Sequence, residues 1–271
     1  MKNHFFVFFI FLISSLAFSQ NLPSFRVGTY IDANSYYERQ GGIYFTFYEN
    51  GRVNGIRNGE PKNGTFNGSY SVIEENGLNY LQILWDNKTR DKYLIIGYIQ
   101  NGYIDDFNLY NKDGVPFFSC GTTPNPDYMT YFQGNISTEN ITATSELREG
   151  NVIYSTNNLD DRIGVCWAAR GGIGEKIIIS KEVLGDLYIA TGFISMEKPH
   201  LYRENSRPKK IRVSYEGKDA KIVELADTYH VQSINFGAYE GKDVWIEILE
   251  VYPGSKYKDL CINLFRRFMT N

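Results

Sequence analysis

The sequence predicts an all-β protein: an N-terminal antiparallel meander, either a small barrel or a sandwich, followed by a C-terminal jelly-roll β-sandwich. Three observations predict it. Tyrosine (21) and phenylalanine (18) are abundant, and aromatic side chains suit a pleated, half-buried surface. Apolar and polar residues alternate with period two in short segments, while long apolar patterns at the helical period are missing. Gly, Asn and Asp interrupt the chain roughly every ten to fifteen residues, as hairpin turns do in a meander.

The β structure is preceded by a leader. Lys2 supplies a positive start, Phe5 to Phe18 is an almost unbroken apolar run, and the small residues Ala17 and Ser19 flank a cleavage point before Gln20. This layout predicts a cleavable secretory signal peptide over residues 1–19, shorter than the roughly 20 apolar residues of a bilayer span. No cysteine follows the run to carry a lipoprotein anchor, and no later stretch is long and apolar enough to cross a membrane. The mature chain is therefore expected to be secreted or periplasmic. Loss of Lys2 takes the net charge from −3 to −4, with 27 Lys+Arg against 31 Asp+Glu. That balance excludes broad nucleic-acid affinity, which needs a dominant basic face.

Residues 20–121 form the predicted meander domain. Ile43 to Tyr48 turns at Glu49-Asn50-Gly51, Gly64 to Ile73 at Glu75-Asn76-Gly77, Tyr93 to Ile99 at Gln100-Asn101-Gly102, and Lys112-Asp113-Gly114 precedes Val115 to Phe118. Asn-Gly is a strong hairpin signal because both positions tolerate positive φ. The pattern is loosely similar to a lipocalin-like meander. Pro124 and Pro126, closely spaced in a polar run, mark residues 122–137 as a linker.

Residues 138–271 are the second β domain. Its expected strands are Lys176 to Ile179, Leu187 to Phe193, Lys210 to Tyr215, Lys221 to Leu225, Val231 to Phe236, Val244 to Val251 and Leu260 to Phe265. In the sixth, Val244, Ile246 and Ile248 share a face but Leu249 breaks the alternation, which predicts a bulge before Pro253-Gly254. Arg207, Lys209, Lys210 and Arg212 form a basic cluster, in which the alternation of Lys210 and Arg212 with Ile211 and Val213 reads as the solvated face of a strand ahead of an anion site.

Four motifs in this half occur in order: Asn158-Leu159-Asp160-Asp161 leading to Trp167; Gly172-Ile173-Gly174-Glu175 before Ile177-Ile178-Ile179; Tyr202-Arg203-Glu204-Asn205-Ser206-Arg207-Pro208-Lys209; and Val251-Tyr252-Pro253-Gly254-Ser255-Lys256-Tyr257 leading to Ile262. They resemble the NADase-type glycan-binding domain, a relative of the discoidin (galactose-binding-like) jelly rolls. The resemblance implies a binding module, carbohydrate as the ligand, and no catalysis. Departures from the family pattern are Asp161 where glycine is usual and Ala169-Arg170 where an acid is usual after the tryptophan. The N-terminal half does not resemble an NADase, so that chemistry is not carried over.

Candidate ligand residues are His200, Tyr202, Arg203 and Asn205 in one loop, which combine stacking and polar groups as sugars require. Arg170, Lys256 and Tyr257 join them if the loops share one end of the sandwich. Trp167 is read as a core residue ahead of a stacking platform. Asp160 and Asp161 are weak calcium candidates by analogy with discoidin relatives. Cys166 and Cys261, in one domain of an exported chain, are either a disulfide or two buried thiols. No Gly-x-Ser-x-Gly elbow, metal-spaced His pair or CxxC is present, so no catalytic residue is assigned. The competing readings are an inhibitor or interaction protein docking a partner through its N-terminal β domain, and a secreted hydrolase.

Overall fold

A computed structural model describes residues 36–39, 43–48, 50–57, 64–100, 103–114, 116–121, 136–160, 162–180, 184–215, 220–239 and 243–267. The expected signal peptide and most of the expected linker lie outside the described residues. The N-terminal strands are β1 (Tyr36–Arg39), β2 (Ile43–Phe47), β3 (Arg52–Arg57), β4 (Thr65–Glu75), β5 (Leu78–Trp85), β6 (Arg90–Gln100), β7 (Tyr103–Tyr110) and β8 (Pro116–Gly121). Each pairs antiparallel with the next, and β1 approaches β8, so the meander curls towards closure. At the β4–β5 turn Asn76 and Gly77 have φ of +52° and +78°, the left-handed pair a type I′ hairpin requires. One face of the meander is filled by Phe45, Phe47, Leu81, Ile83, Trp85, Ile95 and Phe107.

The C-terminal strands are β9 (Ile141–Ala143), β10 (Leu147–Glu149), β11 (Val152–Tyr154), β12 (Trp167–Ala169), β13 (Lys176–Ile179), β14 (Leu184–Thr191), β15 (Arg207–Tyr215), β16 (Lys221–Glu224), β17 (Val231–Tyr239), β18 (Val244–Tyr252) and β19 (Leu260–Arg267). A five-stranded sheet in the order β16-β15-β18-β13-β9 packs against β17-β14-β19-β12. Between them lies an apolar core that includes Trp167, Ile177, Ile189, Ile211, Ile234, Ile246, Ile248 and Ile262. This is the expected jelly-roll sandwich of two packed sheets. The bulge stands where the alternation slips: β15 pairs Lys210 with Glu250 and Ile211 with Ile248, skipping Leu249.

The two halves share a sheet. β5 begins at Leu78, so the far end of β6 loses that neighbour, and β17 takes the vacated edge in parallel, Val231 opposite Tyr98 and Gln232 opposite Ile99. The meander thereby continues into the jelly roll as one twelve-stranded sheet. Tyr80, Leu94, Ile96, Tyr98 and Tyr110, on the meander's second face, pack on Tyr188, Ala190, Val231 and Leu264, on the outer face of β14, β17 and β19. Period-two alternation makes this possible, because Leu187 and Ile189 point into the sandwich while Tyr188 and Ala190 point at the meander.

Candidate functional site

Antiparallel pairing brings four connections to one end of the sandwich. Thr191 and Trp167 both stand opposite Ile262, Ile189 opposite Gln232, and Arg207 opposite Tyr252. The segments 170–175, 192–206, 225–230 and 253–259 therefore share that end. Backbone bonds tie two of them together: Ser255 N–H donates to Arg203 O at 3.0 Å, Tyr257 N–H to Glu204 O at 2.8 Å, and Ser206 N–H to Asp259 O at 2.9 Å. Lys256 and Tyr257 do lie beside the loop ending at Asn205.

Within that loop the expected ligand residues divide. Tyr202 is 0% exposed, its ring edge-on to Tyr229 at 5.9 Å. It offers no face to a sugar, because the docked meander and the 201–204 helical turn close around it. Asn205 is also buried, and its amide donates to Leu201 O at 2.9 Å, capping that turn. His200 and Arg203 are exposed, but Arg203 is held by Asp227 at 3.0 Å.

Arg207, the first member of the basic cluster, is not at the surface. Its side chain is 4% exposed and ion-pairs with Asp227 at 2.7 Å. Its guanidinium also donates to Tyr202 O at 2.8 Å and Asn205 O at 2.7 Å. Tyr202, Asn205 and Arg207 are thus one structural clamp, which accounts for three positions of the third motif. Lys210 and Arg212 do face solvent, paired with Glu250 and Glu247.

The accessible part of the loop end is a different set. Arg170 and Lys256 are exposed, and Tyr257 is 37% exposed, with the Lys256 ammonium 4.8 Å from its ring centre. Asp259 completes the set. Burial raises its carboxyl above the usual range, Glu149 pushes it further up, and Arg170 pulls it back. Glu149 and Asp259 carried no sequence signal, since they are 110 residues apart and come together only because β10 packs beside β12, the neighbour of β19. The turn at Gly171, Gly172 and Gly174 has positive φ at all three glycines, the tight turn expected before β13. Ile173 at its tip is 63% exposed.

A concavity of about 300 Å³ lies where the β7–β8 turn meets the jelly roll, lined among others by Lys112, Asp113, Arg162, Phe193, Met196 and Lys198.

Trp167 is in the core, its indole N–H donating to Ser145 O at 3.1 Å. Asp160 accepts from Arg162 N–H at 2.8 Å and pairs with the Arg162 guanidinium at 2.8 Å. Asp161 lies outside the described residues. Cys166 and Cys261 are free thiols, both buried with Leu147, Ala168 and Phe193. Cys261 stands opposite Ala168, next to Cys166 in the same apolar cluster. Burial and contact with Cys261 push the Cys166 thiol up.

Residues 130–264 match the family model of the NAD glycohydrolase translocation F5/8 type C domain. Among solved structures the chain is similar to CpGH89CBM32-5 from Clostridium perfringens, in complex with GalNAc-β-1,3-galactose. The identity is 14% and the TM-score 0.36, over 49% of this chain and 99% of that one. It is also similar to a Paenibacillus xanthan lyase, at 10% identity and a TM-score of 0.30, over 87% of this chain and 25% of the lyase. No curated protein matches. The C-terminal half resembles the discoidin-like, galactose-binding-like domains that its motifs point to.

Proposed function

We propose that this discoidin-like chain is an exported, non-catalytic glycan-binding protein that takes its ligand at the loop end of the jelly roll. The ligand surface runs over Arg170, Tyr257, Lys256 and Asp259. The observation that carries this reading is the convergence of the 170–175 and 253–259 segments, which brings a partly exposed tyrosine, two cations and a carboxylate to one end of the sandwich. A tyrosine ring covers the apolar face of a pyranose, and hydroxyl groups need both donors and acceptors around them. The family match over residues 130–264 supports a binding rather than a catalytic role. Export rests on the leader layout of residues 1–19.

The test is a soluble-glycan array probed with the full mature chain and with Arg170→Ala, Tyr257→Ala and Tyr202→Phe. Binding is expected for the wild type and Tyr202→Phe, and loss for the first two variants. Wild-type binding that survives both Arg170→Ala and Tyr257→Ala would sink the site, and an array without any wild-type binding would sink the function.

A further inference from the structure

Arg203 is held from two sides, and one of them belongs to the meander. On the jelly-roll side its Nη1 pairs with Asp227 at 3.0 Å. On the other side the guanidinium lies against the β4–β5 turn, where a Cβ added to Gly77 would stand 3.0 Å from Nε and 3.3 Å from Nη2. Gly77 has a φ of +78°, and only a residue without a side chain lets the turn come this close in that conformation. The same hairpin reaches the neighbouring segment. Asn79 N–H donates to the Tyr229 hydroxyl at 2.9 Å, and Leu78 and Tyr80 pack in one cluster with Tyr202 and Tyr229. One meander hairpin therefore rests on both the 192–206 and the 225–230 segments.

The consequence for the loop end runs through the backbone. Arg203 O accepts from Ser255 N–H at 3.0 Å, and Glu204 O accepts from Lys256 N–H at 3.2 Å and Tyr257 N–H at 2.8 Å. The Glu204 carboxylate also stands 3.6 Å from the Lys256 ammonium. Three consecutive N–H groups, on the segment that bears Lys256 and Tyr257, are thus satisfied by residues 203 and 204 together.

We propose that the meander is a positioning element for the ligand surface, with Arg203 as the positioning residue. The Asn76-Gly77 turn braces the guanidinium, Asp227 fixes its other side, and the two carbonyls behind it hold residues 255–257 in place. Arg203 acts through that backbone rather than on the ligand. Holding the segment before a ligand arrives removes part of the ordering cost of binding. The N-terminal half thereby contributes to affinity without a ligand contact of its own. The ligand in this proposal rests on the loop-end reading, whereas the bracing does not.

The test combines amide exchange at residues 255–257 with glycan affinity, in the full mature chain. Arg203→Ala is expected to speed exchange at all three positions and to weaken binding about tenfold. Gly77→Ala, which displaces the guanidinium, is expected to act in the same direction. The double variant is expected to be no worse than the poorer single one, because both remove one contact. Gly51→Ala is the control for backbone strain: its φ is +77° and the nearest atom to its Cβ is 3.8 Å away, so exchange and affinity are expected to stay at wild-type values. Arg203→Ala carries the test alone if Gly77→Ala misfolds. Unchanged exchange in Arg203→Ala would overturn the proposal, as would faster exchange with full affinity, or losses that simply add in the double variant. A wild type that binds no glycan sinks the loop-end site; faster exchange in Arg203→Ala then still upholds the bracing, and unchanged exchange overturns it.

Discussion

The backbone N–H of Gly97 donates to Nδ1 of His230 at 3.0 Å. Gly97 lies on β6 where β5 has ended and β17 begins to pair, so the ladder there has a donor with no strand opposite. The imidazole from the start of β17 supplies the missing acceptor. Next to it, the Tyr229 hydroxyl accepts from Asn79 N–H at 2.9 Å. These two side chains fasten the jelly roll to the meander at the one place where their shared sheet changes from antiparallel to parallel pairing.

Burial pushes the His230 imidazole down to about 3, against about 6.5 in an unfolded chain. Between these values the unfolded state binds the extra proton, so stability falls as pH drops from about 6.5 towards 3 and is unaffected by this group above that window. The full linkage is at most roughly 5 kcal/mol. Urea unfolding at pH 7 and pH 4 is expected to show a smaller loss for His230→Gln, which keeps an acceptor and does not titrate, than for the wild type. Equal losses would refute the assignment.

Arg207→Met removes a buried cation that holds Asp227 and two loop carbonyls. Breaking one partner out of such an arrangement costs about 3–5 kcal/mol. The expected result is a lower urea midpoint and faster amide exchange at Ser255 and Tyr257, whose bonds depend on the 203–206 backbone. A variant with wild-type exchange there would show that the guanidinium does not hold the loop.

Cys166 and Cys261 are expected to stay reduced in protein purified without reductant, because both are buried free thiols and burial disfavours the Cys166 thiolate that would have to react. Peptide mapping under non-reducing conditions checks this. Alkylation is expected only after unfolding, for the same reason. A Cys166–Cys261 crosslinked peptide would contradict this assignment.

Gly172→Ala meets two obstacles. Its φ is +69°, and a Cβ there would lie 2.6 Å from the Leu260 Cβ. A non-glycine residue in this region costs on the order of 1–3 kcal/mol, and the contact adds to it. A lowered melting temperature is expected, with weaker glycan binding if the 170–175 turn shifts. Gly171→Ala, with a similar φ but open space around the Cβ, is expected to cost less.

Much of the fold was legible in local pattern. Expected strands at Lys176, Lys221, Val231, Val244 and Leu260 begin where the structure begins them, because turn residues bound each apolar run. Even the bulge at Leu249 was visible as a slipped alternation. Edges were less legible: β15 starts at Arg207 rather than Lys210, since Pro208 and the charged residues around it obscure pairing that backbone bonds alone determine.

Local alternation and turn chemistry decided that this chain is β throughout, where its hairpins turn, and which side chains of each strand line the sandwich. Those signals act over a few residues and are written in consecutive positions. What surrounds Arg207 and which groups join Arg170 at the rim followed from the sandwich's own strand order, while whether Tyr202 greets a ligand or is sealed in depended on the docking of the meander. That docking follows from a long-range edge pairing between β6 and β17, residues more than 130 positions apart, and no local periodicity encodes which edge is left open or what will fill it.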